Sequence, residues 1–324
     1  MIRFASPEDF RVEEIPLYAP SGAGEHTFVR VEKVGRTTED VARDLARAAG
    51  VAPRDVGYAG RKDRVAVAIQ WFSVPRLAPD AALALRLAGV RLLEAAAHPH
   101  KLRTGQLRGN RFDLCLRGLD AEALRRAERR LPELAARGLR NRFGMQRFGR
   151  EGDNAEQARR MLAGEWRPRD RRHARFLLSA LQAAVFNAVL AERGEAFDRV
   201  EAGDVAVVHA SGGLFLVEDA ALEAPRAAAF EISATGPMFG TRVTSPGGRV
   251  AERERACLAE LGVSDQALAG VRGVRLRGAR RALRVRPEAL ELTPIADGAR
   301  LRCVLPPGSY ATVLVEALVT EGLG

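Results

Sequence analysis

Apolar and charged residues alternate through EHTFVRVEKVG, residues 25–35, where Phe28, Val29 and Val31 are set among Arg30, Glu32 and Lys33. A period of two predicts a strand with one face toward solvent. The next stretch, TTEDVARDLARAAG, changes period: Val41 and Leu45 stand four apart, Thr37 or Thr38 offers an N-terminal cap and Gly50 a stop, so a helix follows. VAVAIQWFSV (65–74) and VRLLEAA (90–96) read as buried strands, and RFDLCLRG (111–118) sets Phe112, Leu114 and Leu116 against Arg111, Asp113 and Arg117, as a half-buried strand does. From about Ala121 the texture becomes helical. AEALRRAERRLPELAARG and RFLLSALQAAVFNAVLAERG follow the helical period, the second with Phe176, Leu177, Leu181, Val185 and Val189 as one face. ISATGPMFGTRVTSPGGRV (232–250), rich in Gly and Pro, reads as a long loop, and LRCVLPPGSYATVLVEAL (301–318) returns to strand-like, then mixed, apolar text. No repeats are visible. Sheet at both ends with helices between suggests one domain inserted within another.

Composition narrows the class. The chain has 324 residues, 47% of them hydrophobic, enough for real cores without staples. Cys115, Cys257 and Cys303 show no CxxC spacing and an odd total, so neither a disulfide framework nor a zinc site is expected, and a reducing cytoplasm fits best. The opening MIRFASPEDF carries acids and no signal-like apolar core, and the greasy region from Ala81 to Ala97 is broken by Arg86, Arg91 and Glu94. No membrane or protein partner is implied. Net charge is +10, which suggests an anionic partner, although a basic surface also serves solubility alone. Lys33, Lys62 and Lys101 are the only lysines, so the excess is arginine, the residue suited to bidentate phosphate contacts and to stacking on bases. Histidines 26, 98, 100, 173 and 209 lack metal-site spacing, and Gly212-Gly213 and Gly247-Gly248 lack the context of a nucleotide cradle.

Three strings carry candidate chemistry. GYAGRKDR (57–64) places Asp63 among Arg61, Lys62 and Arg64 on a loop entering a strand. Neighbouring cations favour the ionised carboxylate, which makes a poor general acid but a competent nucleophile or base near neutral pH, and the glycines admit close approach of a substrate backbone. By spacing alone, an exposed aspartate bridged to a neighbouring Arg or Lys is the commoner outcome. NRFGMQRFGREGDN (141–154), with Arg147 in its second Arg-Phe-Gly triplet, suits phosphate holding and base stacking, or equally a loop anchored by its phenylalanines. EWRPRDRRHARF (165–176) concentrates Arg167, Arg169, Arg171, Arg172 and Arg175 at a helix entry, a candidate phosphate contact, although such runs are more often solvated faces.

Taken in order, GYAGRKDRVAVAIQWFS, GNRF at 109–112, NRFGMQRFG, SALQAAVFNAVLAER at 179–193 and LPPGSYATVLVEAL at 305–318, opened by PEDFRVEE and GEHTFVRVEK, resemble the signature segments of the TruD family of tRNA pseudouridine synthases. The likeness spans nearly the whole chain. It implies an enzyme that isomerises a uridine of tRNA, position thirteen in the D-arm for the bacterial family, to pseudouridine without cofactor or metal. Asp63 matches the family's catalytic aspartate, acting as nucleophile at C1′ or as base at C2′. Phe10, Asn110, Phe112 and Tyr310 match residues lining the uridine pocket, with Lys62 beside them; Tyr310 stands where relatives often have Phe, and Val65 where many have His. The implied fold is α+β: a pseudouridine synthase catalytic domain, with a mixed, largely antiparallel sheet and flanking helices, over 1–135 and 286–324, interrupted by a mainly helical TRUD domain over 136–285. The rival from another class is a non-catalytic RNA binder or RNA chaperone, which gains nothing from an acid at its phosphate site; a nuclease would want clustered carboxylates or a histidine pair.

Overall fold

Distant parts of the chain share one sheet. The computed structural model describes residues 4–149, 151–263, 274 and 276–320. Its strands, in chain order, are β1 (Phe10–Pro16), β2 (His26–Lys33), β3 (Gly57–Tyr58), β4 (Val67–Pro75), β5 (Val90–His98), β6 (Leu107–Arg117), β7 (Leu139–Arg140), β8 (Val205–Val208), β9 (Leu214–Leu216), β10 (Ile232–Met238), β11 (Ala279–Ala282), β12 (Arg284–Val285), β13 (Glu288–Ile295) and β14 (Gly298–Leu305). The helices used below are α1 (Thr38–Ala49), α2 (Pro79–Ala84), α3 (Ala121–Arg137), α4 (Asn154–Leu162), α5 (Arg171–Glu192), α6 (Ala220–Ala228), α7 (Gly248–Glu260) and α8 (Ala311–Val319). By contacts the chain separates into two units, Met1–Pro132 with Pro287–Gly308, and Glu133–Arg286 with Ser309–Gly324.

The first unit is built on the sheet β13-β14-β6-β1-β4-β2-β5, with β3 paired to β4. Its neighbours are antiparallel except β1 and β4. Registers align Cys303, Phe112, Val12, Ala68 and Lys33 in one row across five strands, so these side chains share a face. Helix α1 covers the β2–β4 part of that face: Val41, Ala42, Leu45 and Ala46 pack with Val29, Val31, Phe72 and Val74. The helix starts where the sequence says it should. Thr37 accepts from the Asp40 amide while Asp40 accepts from the Thr37 amide, and Gly50 ends the helix at φ 64°. The opposite face carries cross-strand ion pairs, Arg30 with Glu13 and Glu94, Arg111 with Glu13, and Arg300 with Asp113, before closing at one end on a small cluster of Phe28, Ala59, Trp71, Leu102 and Leu107. Strand β4 is therefore buried on both faces, which is why its sequence is mostly apolar, with Gln70 and Ser73 as buried polar exceptions.

In the second unit α5 feeds two cores at once. Ala183, Phe186 and Leu190 join Phe143, Ile232 and Ala234 on one side, and Ala174, Leu177, Leu178, Leu181 and Val185 join Ala158, Leu258 and Phe239 on the other. A helix apolar all round belongs inside a domain; α5 is long and apolar enough to cross a membrane, yet most of that window is buried in this core. Where the unit is entered and left, β7 and β12 pair, Leu139 opposite Val285 and Arg140 opposite Arg284, so the ends of the insertion meet.

Two local expectations need correction, for the stretch 232–250 and for Phe176, and two features were not visible in the sequence. The middle of the chain carries a sheet, β11-β10-β8-β9, that the helical texture hid. The stretch 232–250 is a loop only in part: β10 runs through Ile232–Met238, its Thr235 hydroxyl donating to the Val205 carbonyl at 2.5 Å. Gly236 is there because the Phe186 ring of α5 occupies the space, a Cβ falling 2.9 Å from its carbons. Phe176 does not belong to the buried face of α5; it is exposed while Leu177, Leu181, Val185 and Val189 are buried. By contacts residues 309–320, including α8, group with the second unit.

Candidate active site

Asp63 sits on the loop between β3 and β4, and that loop is tied down at several points. The Lys62 amide donates to Thr38 Oγ1 at 3.0 Å; Thr38 Oγ1 in turn donates to Gln70 Oε1 at 2.8 Å, and Gln70 Nε2 donates to the Gly60 carbonyl at 3.3 Å. Thr38 and Gln70 are fully buried, so the first turn of α1 and the middle of β4 hold the loop from below through satisfied polar groups. Lys33, at the end of β2, donates to the carbonyls of Lys62 at 3.3 Å and Asp63 at 2.8 Å.

The cations flanking Asp63 are engaged elsewhere. Arg61 pairs with Glu39 at 2.6 Å, Lys62 Nζ lies 2.7 Å from Glu14 Oε2, and Arg64 Nε donates to the Gly35 carbonyl at 3.0 Å. No ion pair formed among the described residues takes up the exposed Asp63 carboxylate. The commoner outcome for such a string, an aspartate bridged to its neighbour, is thus not what forms here, and the acid remains available to a ligand.

Lys62 is more deeply placed than its loop position suggested. Its side chain is buried against Glu14, whose other oxygen accepts from the Trp71 amide at 3.3 Å. Glu14 stands opposite Asn110 in the β1–β6 ladder, two residues along from Val12 opposite Phe112. Residues two apart in a strand face the same way, so Asn110, Phe112, Glu14 and Val12 share the face of Lys33. Phe112 is 7% exposed and meets the half-buried Phe10 edge to face, ring centres 6.1 Å apart, with Phe4 extending the group at 5.0 Å. The Asn110 Oδ1 is buried and has no hydrogen-bond partner among the described residues. An amide oxygen left unpaired in the protein is an acceptor that a ligand N–H satisfies.

Tyr310 and the arginines belong to the second unit. Tyr310 precedes α8, meets Phe143 edge to face at 6.1 Å and lies along the Gly144 backbone, where a Cβ would fall 3.3 Å from its ring. Arg147 and Arg281 both stand over Phe143, at 5.7 and 4.2 Å, and burial pushes Arg281 down to about 10. Arg147 of the second Arg-Phe-Gly triplet thus lies over the Phe143 ring of the first, with Arg281 over the same ring. Arg167, Arg169, Arg171, Arg172 and Arg175 are all exposed around the start of α5, whose N-cap Asp170 accepts from the His173 amide at 2.8 Å. Spacing had pointed to neither Lys33 nor Glu14: in sequence each is one more charged residue of an alternating strand, and only burial sets them apart.

A family model described as tRNA pseudouridine synthase D (TruD) matches residues 2–169 and 170–318. A tRNA pseudouridine synthase D from Anaeromyxobacter sp. (strain Fw109-5) is 48% identical over 327 residues, covering 98% of this chain and 92% of that one. Its counterpart from Thermus thermophilus is 42% identical over 324 residues, covering 98% and 88%. A crystal structure from Methanosarcina mazei, assigned as tRNA pseudouridine synthase D (TruD), superposes with a TM-score of 0.76 at 20% identity, covering 98% of this chain and 93% of that one, and shares its fold.

Proposed function

The chain belongs to the TruD family of tRNA pseudouridine synthases, and on that premise we propose that it converts the uridine at position 13 of the tRNA D-arm to pseudouridine, with Asp63 as the reacting carboxylate. The observation that carries the assignment is the state of Asp63: exposed, on a loop pinned from below, and left out of every ion pair its neighbours make. The isomerisation breaks the N1–C1′ bond, turns the uracil and rejoins it through C5, whose proton leaves. Either opening step, attack at C1′ or proton removal at C2′, needs an ionised carboxylate at the ribose.

The remaining residues of the first unit fit the base. Phe112 and Phe10 offer an aromatic wall, and the unpaired Asn110 Oδ1 suits the N3–H of a uracil taken out of its stack. The arginines at the α5 entry and Arg147 suit the phosphates of the RNA, where bidentate contact and exposure matter more than burial. Tyr310, within the second unit, is an aromatic held by Phe143 and the Gly144 backbone. No cofactor or metal is assigned a role.

The test is Asp63→Asn, which keeps shape and loses charge. Pseudouridine formation at position 13, read by carbodiimide-blocked primer extension, is expected to vanish while melting temperature and tRNA affinity hold. Turnover retained in Asp63→Asn would sink the aspartate assignment, and a block at another uridine would sink the position.

A further inference from the structure

Lys33 ends β2 and is wholly buried, which is unusual for a lysine without a carboxylate against it. Its ammonium donates to the carbonyls of Arg36 at 2.8 Å, Lys62 at 3.3 Å and Asp63 at 2.8 Å. An ammonium has three protons, and all three find acceptors. One buried cation thereby ties the turn leading into α1 to the loop that carries Asp63. The loop already has neutral anchors in Thr38 and Gln70. A buried charge costs far more than a further hydroxyl or amide, so what it adds is its field. That field acts on Asp63, Glu39 and Asp40; Glu39 and Asp40 are taken up by Arg61 and Arg43, which leaves Asp63 as the one that no ion pair among the described residues occupies.

Resting on the reading of Asp63 as the reacting carboxylate, we propose that Lys33 is a positioning residue of the reaction: its ammonium fixes the Lys62–Asp63 backbone and electrostatically supports the Asp63 carboxylate from beneath the loop. Lys33 touches no substrate; it acts through Asp63. Burial lowers the Lys33 ammonium to about 8, with Asp63, Glu39 and Asp40 pulling it up and Lys62 pushing it down. Above that pH the folded protein loses one of the three donors and the field at Asp63, so turnover falls. The fold does not fail with it. Between about 8 and the ordinary lysine value of 10.5 the unfolded chain holds the proton more tightly than the folded one, so this group makes stability rise with pH while activity declines.

The experiment is a pH profile of single-turnover pseudouridine formation at saturating tRNA from pH 6.5 to 9, on wild type, Lys33→Met and Asp63→Asn, with melting temperature and tRNA Kd measured alongside. Wild type is expected to show a falling limb with a midpoint near 8. Lys33→Met is expected to keep its tRNA Kd within about twofold, to turn over at least ten times more slowly at pH 7, and to lose the falling limb. A flat wild-type profile overturns the proposal, and so does a folded Lys33→Met with wild-type rate and limb. Should Lys33→Met not fold, the wild-type profile decides. Activity lost in Asp63→Asn and kept in Lys33→Met overturns this proposal alone, whereas activity kept in Asp63→Asn overturns the aspartate reading and this proposal with it.

Discussion

Lys62 Nζ lies 2.7 Å from Glu14 Oε2, and the two side chains are only 6% and 1% exposed. A pair this deep gains little by itself because both ions lose their water, but each partner needs the other. Glu14→Ala leaves the Lys62 ammonium buried without a counter-charge and is expected to destabilise by about 3 kcal/mol. Glu14→Ala combined with Lys62→Met should recover much of that loss. Urea midpoints of the two variants check it; a double variant as unstable as the single one would show that the pair is held for another reason.

Phe112 is a core residue, and the proposed function also gives it a place beside the base. At 7% exposure, against Phe10 and in the row of Val12 and Cys303, its removal leaves a cavity, so Phe112→Ala should lose about 3 kcal/mol of stability. Base stacking on the same ring adds a loss of roughly 1 to 3 kcal/mol in transition-state binding, about one to two decades in kcat/KM. Phe112→Leu refills most of the volume but offers no ring. It is expected to restore the melting temperature and leave kcat/KM low; a Phe112→Leu enzyme with wild-type kcat/KM would assign the residue to the core alone.

Acid stability should depend on Asp9. This carboxylate is buried, accepts from the Ala5 amide at 3.0 Å and the Ser6 amide at 3.2 Å, and meets Arg117 at 2.8 Å; the Arg117 hydrogen bond, with those amides, holds it below the ordinary carboxylate range despite burial. A depressed folded value means that the unfolded chain takes up the proton first. The stabilisation is therefore full above the unfolded value of about 3.9 and disappears as pH falls through the folded one. Asp9→Asn is expected to be less stable than wild type at pH 7, and the gap is expected to narrow as pH falls below about 3.9 in urea titrations.

RNA affinity should be steep in salt, each neutralised phosphate releasing about 0.7 to 0.9 counterion. Arg171→Glu with Arg172→Glu, both at exposed positions, should flatten that slope by about one for each phosphate no longer neutralised, and weaken Kd more than turnover at saturating tRNA. An unchanged Kd would return the cluster to an ordinary solvated face. Filter binding from 50 to 300 mM salt reads both quantities.

Much of the first unit was legible in the chain because its signals are local. The alternation of β2, the reciprocal cap of Thr37 and Asp40, the Gly50 stop and the mostly apolar run of β4 each follow from backbone geometry within a few residues. The apolar run VAVAIQWFSV likewise placed Asp63 on a loop entering a strand. Reading failed where the deciding partner is far away. Ile232–Met238 looks like a loop because Gly236 and Pro237 weaken strand propensity, and only the Phe186 ring across the core explains the glycine. Residues 309–320 follow a strand of the first unit yet find their contacts in the second, which no periodicity announces.

The sequence by itself determined which residue types stand at the candidate site and in what order, since those are properties of the chain. Tertiary structure decided which charges are free to act. Arg61, Lys62 and Arg64 surround Asp63 in sequence, yet Glu39, Glu14 and the Gly35 carbonyl, between 22 and 48 residues away along the chain, draw them off. Lys33, 30 residues before Asp63, reaches it from beneath instead. Coulomb and hydrogen-bond energies depend on distance in space and on burial, and strand register sets both only after the sheet has formed.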